Sequence, residues 1–78
     1  MRMSIPEQLW KPLRQHLEEL NIAATTNRWD QIREAMDTLQ YVITCGQSYY
    51  GLSPSLAVKH NFGEYLLVDR RSGAVVEL

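Results

Sequence analysis

The sequence contains little cysteine and no long apolar run, and each absence removes a class of protein. Its single cysteine, Cys45, excludes an internal disulfide framework. No stretch approaches the roughly 18 consecutive apolar residues that a membrane span requires. The N-terminal segment also lacks the apolar core of a signal peptide. These absences predict a cytoplasmic protein with no membrane partner.

An excess of charge of one sign is also absent. Eight Lys and Arg oppose nine Asp and Glu, so the net charge is −1. Nucleic-acid-binding domains usually carry a clear positive excess, so the balance argues against nucleic acid as a partner. His16, Cys45 and His60 match no metal-ligand spacing. The glycines of segment 46–51 follow a helix rather than a strand, unlike a phosphate-binding loop. We therefore expect no metal and no cofactor.

The chain is short for a stable core. A chain of 78 residues buries only roughly 60 to 65% of its unfolded surface. Without a disulfide or a structural metal, self-association is the remaining common source of extra burial. The length therefore predicts a single domain over residues 1–78 and favours a homodimer.

The longest regular hydrophobic period lies in residues 28–45. Apolar residues recur there at spacings of three and four, which places them on one stripe of an amphipathic α-helix. Asn27 is predicted to be the N-cap and Gly46 the C-cap. The stripe is formed by Trp29, Ile32, Met36, Leu39 and Ile43.

A similar stripe precedes it and predicts a first helix. Ser4 and Glu7 match the S-x-x-E capping box, so this helix is expected to begin at Ile5. Pro12 predicts either one kinked helix, which we favour, or a helix that begins only near Lys11. With a short link, the two helices form an antiparallel hairpin over about residues 5–45. The first stripe is formed by Trp10, Leu13, Leu17, Leu20 and Ala24.

The remaining residues predict β-structure. Segment 46–63 reads as a connection, within which 56–60 is either a strand, which we favour, or a helical turn. Segments 64–69 and 74–78 flank a turn and predict a β-hairpin over 64–78, with Leu67 and Val75 facing the helices. The predicted fold class is α+β. It is an antiparallel helical hairpin packed against a small C-terminal antiparallel β-hairpin or three-stranded meander.

No catalytic arrangement stands out. Cys45 with His16 or His60 is the one possible thiol nucleophile pair, and a helix C-terminus disfavours its thiolate. We therefore predict that the protein is not an enzyme. A small enzyme with its site at a dimer interface is the third alternative.

The predicted function is protein binding. Large aromatic and apolar residues often anchor interfaces, and the expected partner-binding residues are Tyr49, Tyr50, Leu52 and Phe62. A small accessory regulator or inhibitor that occludes a larger protein fits this pattern, as is common among small bacterial and phage proteins. The alternative is a nucleic-acid-binding regulator that uses Arg70 and Arg71 at the basic turn.

Overall fold

The computed structural model describes residues 5–78, which form two antiparallel helices and a two-stranded antiparallel sheet. Helix α1 spans Glu7–Thr25 and helix α2 spans Trp29–Tyr49. Strands β1 and β2 span Leu56–Asn61 and Glu64–Asp69. The predicted α+β class, a helical hairpin against a β-hairpin, is confirmed. Neither helix in this part of the chain is long and apolar enough to cross a membrane.

Helix α1 is continuous through Pro12, so the alternative start near Lys11 is wrong. The helix begins at Glu7 rather than at the expected Ile5, and Pro6 is its N-cap. Proline suits this position because the first turn needs no partner for its missing N–H. Ser4 of the predicted capping box lies outside the described residues.

The helix junction is closed by Asn27 in a left-handed conformation with φ +57°. Its N–H donates to the Ala24 carbonyl at 3.2 Å, and the Arg28 N–H donates to the Ala23 carbonyl at 3.4 Å. This pair of bonds is a Schellman motif, in which asparagine tolerates the positive φ. Asn27 therefore ends α1, and its predicted role as N-cap of α2 is wrong because Arg28 occupies that position.

Gly46 was predicted to end α2, but it lies buried within the helix. A Cβ atom at this position would lie 2.7 Å from Leu9 Cδ1 and 3.0 Å from Leu52 Cδ2. The glycine therefore lets α1 and the segment after α2 approach the helix backbone closely. The helix continues for three residues more and ends at Tyr49.

The β-hairpin is formed by β1 and β2, paired from Leu56↔Asp69 to Asn61↔Glu64. Of the two alternatives for segment 56–60, the strand is therefore the observed one. A two-residue turn, Phe62 and Gly63, connects the strands. The regular hairpin thus covers residues 56–69 rather than the predicted 64–78.

Segment 74–78 lies beside β2 but is not a regular strand. It pairs through one bridge, Val68↔Val75, and the Val76 N–H donates to the Leu67 carbonyl at 2.7 Å. Leu67 and Val76 are buried in the core, whereas Val75 is 44% exposed. The predicted inward orientation is therefore correct for Leu67 and wrong for Val75, because segment 74–78 directs Val76 into the core instead.

The core lies between the helical hairpin and one face of the sheet. Asn21 of α1 joins the two layers by hydrogen bonds to the backbone of Tyr65 in β2. Its Oδ1 accepts from the Tyr65 N–H at 2.7 Å, and its Nδ2 donates to the Tyr65 carbonyl at 2.9 Å. The main buried cluster consists of Ile5, Leu9, Leu13, Leu20, Leu39, Ile43, Leu52, Leu56, Leu67 and Val76.

Candidate interaction surface

The predicted partner-binding residues lie at two different ends of the molecule. The junction of α1 and α2 and the Phe62–Gly63 turn share one end, because Asn21 near the end of α1 holds Tyr65 beside that turn. We call this the tip end. The opposite end, which we call the loop end, contains segments 50–55 and 70–73, joined by an Arg70 N–H to Ser55 carbonyl bond of 2.8 Å.

The four predicted partner-binding residues therefore do not form one surface. Leu52 is only 2% exposed and packs against Gly46, so its side chain belongs to the core. Tyr49 and Tyr50 are exposed at the loop end. Phe62 is exposed at the tip end. Strand β1, about 20 Å long at 3.3 Å per residue, separates the two ends.

Phe62 combines full exposure with an unfavourable backbone conformation. Its side chain is 99% exposed, and its φ is +50°. Gly63 follows with φ +79°, so both central residues of the turn have the positive φ of a type I′ turn. Asparagine or glycine is favoured at such positions, whereas a bulky residue there is strained. The fold gains neither burial nor backbone stability from this phenylalanine.

The outer face of α2 carries a tyrosine stripe near the loop end. Tyr41, Cys45 and Tyr49 are spaced four residues apart, so they lie above one another on the helix. Tyr41 is 70% exposed and Tyr49 is 81% exposed. A side-chain hydrogen bond with Cys45 raises the pKa of Tyr41 above its ordinary value of 10.0. The stripe thus presents two accessible phenol rings beside a partly buried thiol.

Closer to the tip end, α2 carries a partly exposed apolar patch. Ile32 and Met36 are partly buried and pack against the core, as their place in the stripe predicts, whereas Trp29 is 77% exposed and not buried as predicted. Together with Arg33 and Asp37 they line a shallow depression of about 240 Å³. We call these five residues the tryptophan patch.

Burial along the stripe of α2 differs between its two ends. The 21 residues of α2 extend for about 31 Å at 1.5 Å per residue, whereas a strand of six residues covers only about 20 Å, so the sheet is shorter than the helix. Leu39 and Ile43 are buried, but Trp29 in the first turn is 77% exposed. Periodicity located the stripe but carried no signal for this difference.

Arg70 and Arg71 occupy an exposed turn at the loop end. With Pro54 and Ser55 they line a polar depression of about 390 Å³. The buried Asp69 side chain lies directly beneath, where its Oδ1 accepts the Arg71 N–H at 3.0 Å. That bond, the Ser55 hydroxyl and the Arg71 charge hold the pKa of Asp69 below its ordinary value of 3.8. An ionised carboxylate thus accompanies the two guanidinium groups.

The histidines and the cysteine have separate surroundings. His16 Nδ1 lies 3.2 Å from Glu19 Oε2 on α1, and the His60 ring packs on Tyr65 with 4.7 Å between centroids. Cys45 lies beside Tyr41 on the outer face of α2. Within residues 5–78, no group of three His, Cys, Asp or Glu side chains is placed to hold a metal ion.

Comparison with known proteins adds no relative to this description. No family model, no curated protein and no solved structure matches the chain.

Proposed function

We propose that the protein is a non-enzymatic protein–protein interaction module, a small accessory regulator that binds and occludes a larger partner protein. Phe62 is its principal anchor, and the tyrosines of the loop end are a second, separate contact region. The single observation that carries this proposal is the state of Phe62, which is fully exposed at a positive φ.

Both features of Phe62 act against folding, so they point to a role outside the fold. Strained or locally unfavourable residues persist at functional sites more often than elsewhere. An aromatic ring at a rigid two-residue turn also loses little side-chain freedom on binding, which favours its use as an anchor. A hairpin tip that inserts into a cleft of a larger protein uses the exposure, the strained backbone and the restricted ring of Phe62.

The substitution Phe62→Asn separates folding from binding. Asparagine followed by Gly63 is the preferred sequence of a type I′ turn, so the variant should be more stable by about 1 kcal/mol. For a domain of this size that corresponds to a melting temperature about 4 to 8 °C higher. The same variant should capture its partner from a cell extract at least about tenfold less, since loss of an anchor often costs 2 kcal/mol or more.

Two variants complete this experiment. Phe62→Tyr keeps an aromatic ring at the tip and should retain capture, as measured by quantitative mass spectrometry of the bound proteins. The double variant Tyr49→Ala/Tyr50→Ala alters only the loop end. Undiminished capture by Phe62→Asn, together with loss in the folded tyrosine variant, would move the binding site to the loop end and refute Phe62 as the anchor. Equal capture by all variants would refute both surfaces.

Nucleic-acid binding through Arg70 and Arg71 stays the alternative. Asp69 beneath the turn and the net charge of −1 both weaken the positive field there. The alternative requires duplex affinity that falls steeply with salt and is lost in Arg70→Ala/Arg71→Ala. Fluorescence anisotropy with a labelled duplex at low salt tests it, and an absence of binding would remove it.

A further inference from the structure

We propose that a second copy of this chain binds the tryptophan patch, with the two α2 helices antiparallel across a two-fold axis that is level with residue 35 along the helix. Arg33 of each protomer then faces Asp37 of the other. This inference concerns a different surface from the Phe62 tip and does not depend on it.

The tryptophan patch combines apolar and charged side chains in the way a helix–helix seam requires. Trp29 and Met36 supply apolar area, while Arg33 and Asp37 lie one helical turn apart along its outer flank. Both charged side chains are exposed. Within residues 5–78, neither Arg33 nor Asp37 belongs to an ion pair.

The spacing of these charges makes the patch complementary to itself. A two-fold axis between antiparallel helices places residue 35 − n of one chain level with residue 35 + n of the other, on the same flank. Arg33 and Asp37 are equidistant from residue 35 in sequence. Two ion pairs therefore form symmetrically, one on each side of the axis. Met36 lies next to the axis, where the two apolar strips meet.

The charge pattern favours a second copy over other occupants. On this flank the exposed Arg33 lies between the exposed Asp30 and Asp37. An acidic peptide or a nucleic acid would face the two aspartates, and a uniformly basic partner would face Arg33. In an antiparallel copy Arg33 faces Asp37 and Asp30 lies level with the uncharged Gln40, so no like charges meet. Association also supplies apolar burial to a 78-residue chain with a small core.

Charge reversal tests the pairing. We expect the wild type to dimerise in sedimentation equilibrium, and Arg33→Asp or Asp37→Arg alone to weaken the dimer dissociation constant by about tenfold, because like charges then face each other twice. An equimolar mixture of these two variants should form a heterodimer of near wild-type affinity, since every pair is again opposite in sign. Circular dichroism checks that each variant is folded.

Several results would overturn the inference. A wild type that stays monomeric up to about millimolar concentration removes the dimer, and a dimer that neither single reversal weakens places it on another surface. Failure of the mixed variants to associate would refute the antiparallel pairing of Arg33 with Asp37. Exposed Lys11→Asp on α1 is the matched control and should leave the dissociation constant unchanged. Partner capture that depends on Phe62 in a monomeric wild type would leave the proposed function intact.

Discussion

Asn21→Ala is the substitution that most directly tests how the two layers are joined. The Asn21 amide satisfies both the N–H and the carbonyl of Tyr65, at 2.7 and 2.9 Å in a partly buried position. Alanine removes two hydrogen bonds, each worth about 1 kcal/mol net, and leaves two backbone groups without their partner. We therefore expect the free energy of unfolding to fall by about 2 to 3 kcal/mol. Against a total of about 4 to 12 kcal/mol for a domain of this length, that is a large loss.

Urea unfolding followed by circular dichroism measures this loss directly. The denaturation midpoint should decrease while the slope of free energy against urea stays unchanged, because the folded and unfolded surfaces are nearly the same. Gln15→Ala is the matched control. It removes an exposed amide of the same helix, whose bond to Glu19 is 3.4 Å long, and should change stability by less than about 0.5 kcal/mol. Equal effects of the two substitutions would refute the role assigned to Asn21.

Two further predictions concern the core and the loop end. Leu39→Ala removes a fully buried side chain and should lower the free energy of unfolding by about 2 to 5 kcal/mol in urea titration; a loss below about 1 kcal/mol would contradict its central place. Because the pKa of Asp69 is lowered from 3.8, its ionised form stabilises the fold above that pH, and this contribution is lost as the pH falls through the lowered pKa. Asp69→Asn should therefore be less stable at neutral pH and show a weaker loss of stability in acid. Parallel acid unfolding curves for the two proteins would contradict this.

The elements that the sequence predicts best are those whose signal is local. The stripe of α2 was predictable from its helical period, and the strand over residues 64–69 from its run of β-favouring residues beside a turn. The helix ends were not. Gly46 resembles a C-cap until Leu9 and Leu52 are known to lie against it, and Asn27 has the chemistry of either cap. The packing of Leu9 and Leu52 decides the role of Gly46, and a positive φ decides the role of Asn27. Neither is visible in the sequence.

The candidate site was less predictable than the fold. Phe62 is exposed, and its strain is visible only as a dihedral angle. Trp29 was assigned to the core because its position continues the stripe, yet burial depends on how far the sheet extends over the helix. Leu52 was assigned to a surface and is instead covered by α2. The exposed surface of the protein depends on how the packed elements cover one another, and no local sequence pattern encodes that.

The order of elements in this fold has a consequence for how the chain folds. Each hairpin is built from neighbouring segments, α1 with α2 and β1 with β2, so each requires only short loop closures. Docking them needs contacts between distant residues, such as Asn21 with Tyr65, which are 44 positions apart. Folding should therefore proceed by early formation of the helical hairpin and late docking of the sheet. In kinetic terms, substitutions at the α1–α2 contact should slow folding, and those at Asn21 should mainly accelerate unfolding.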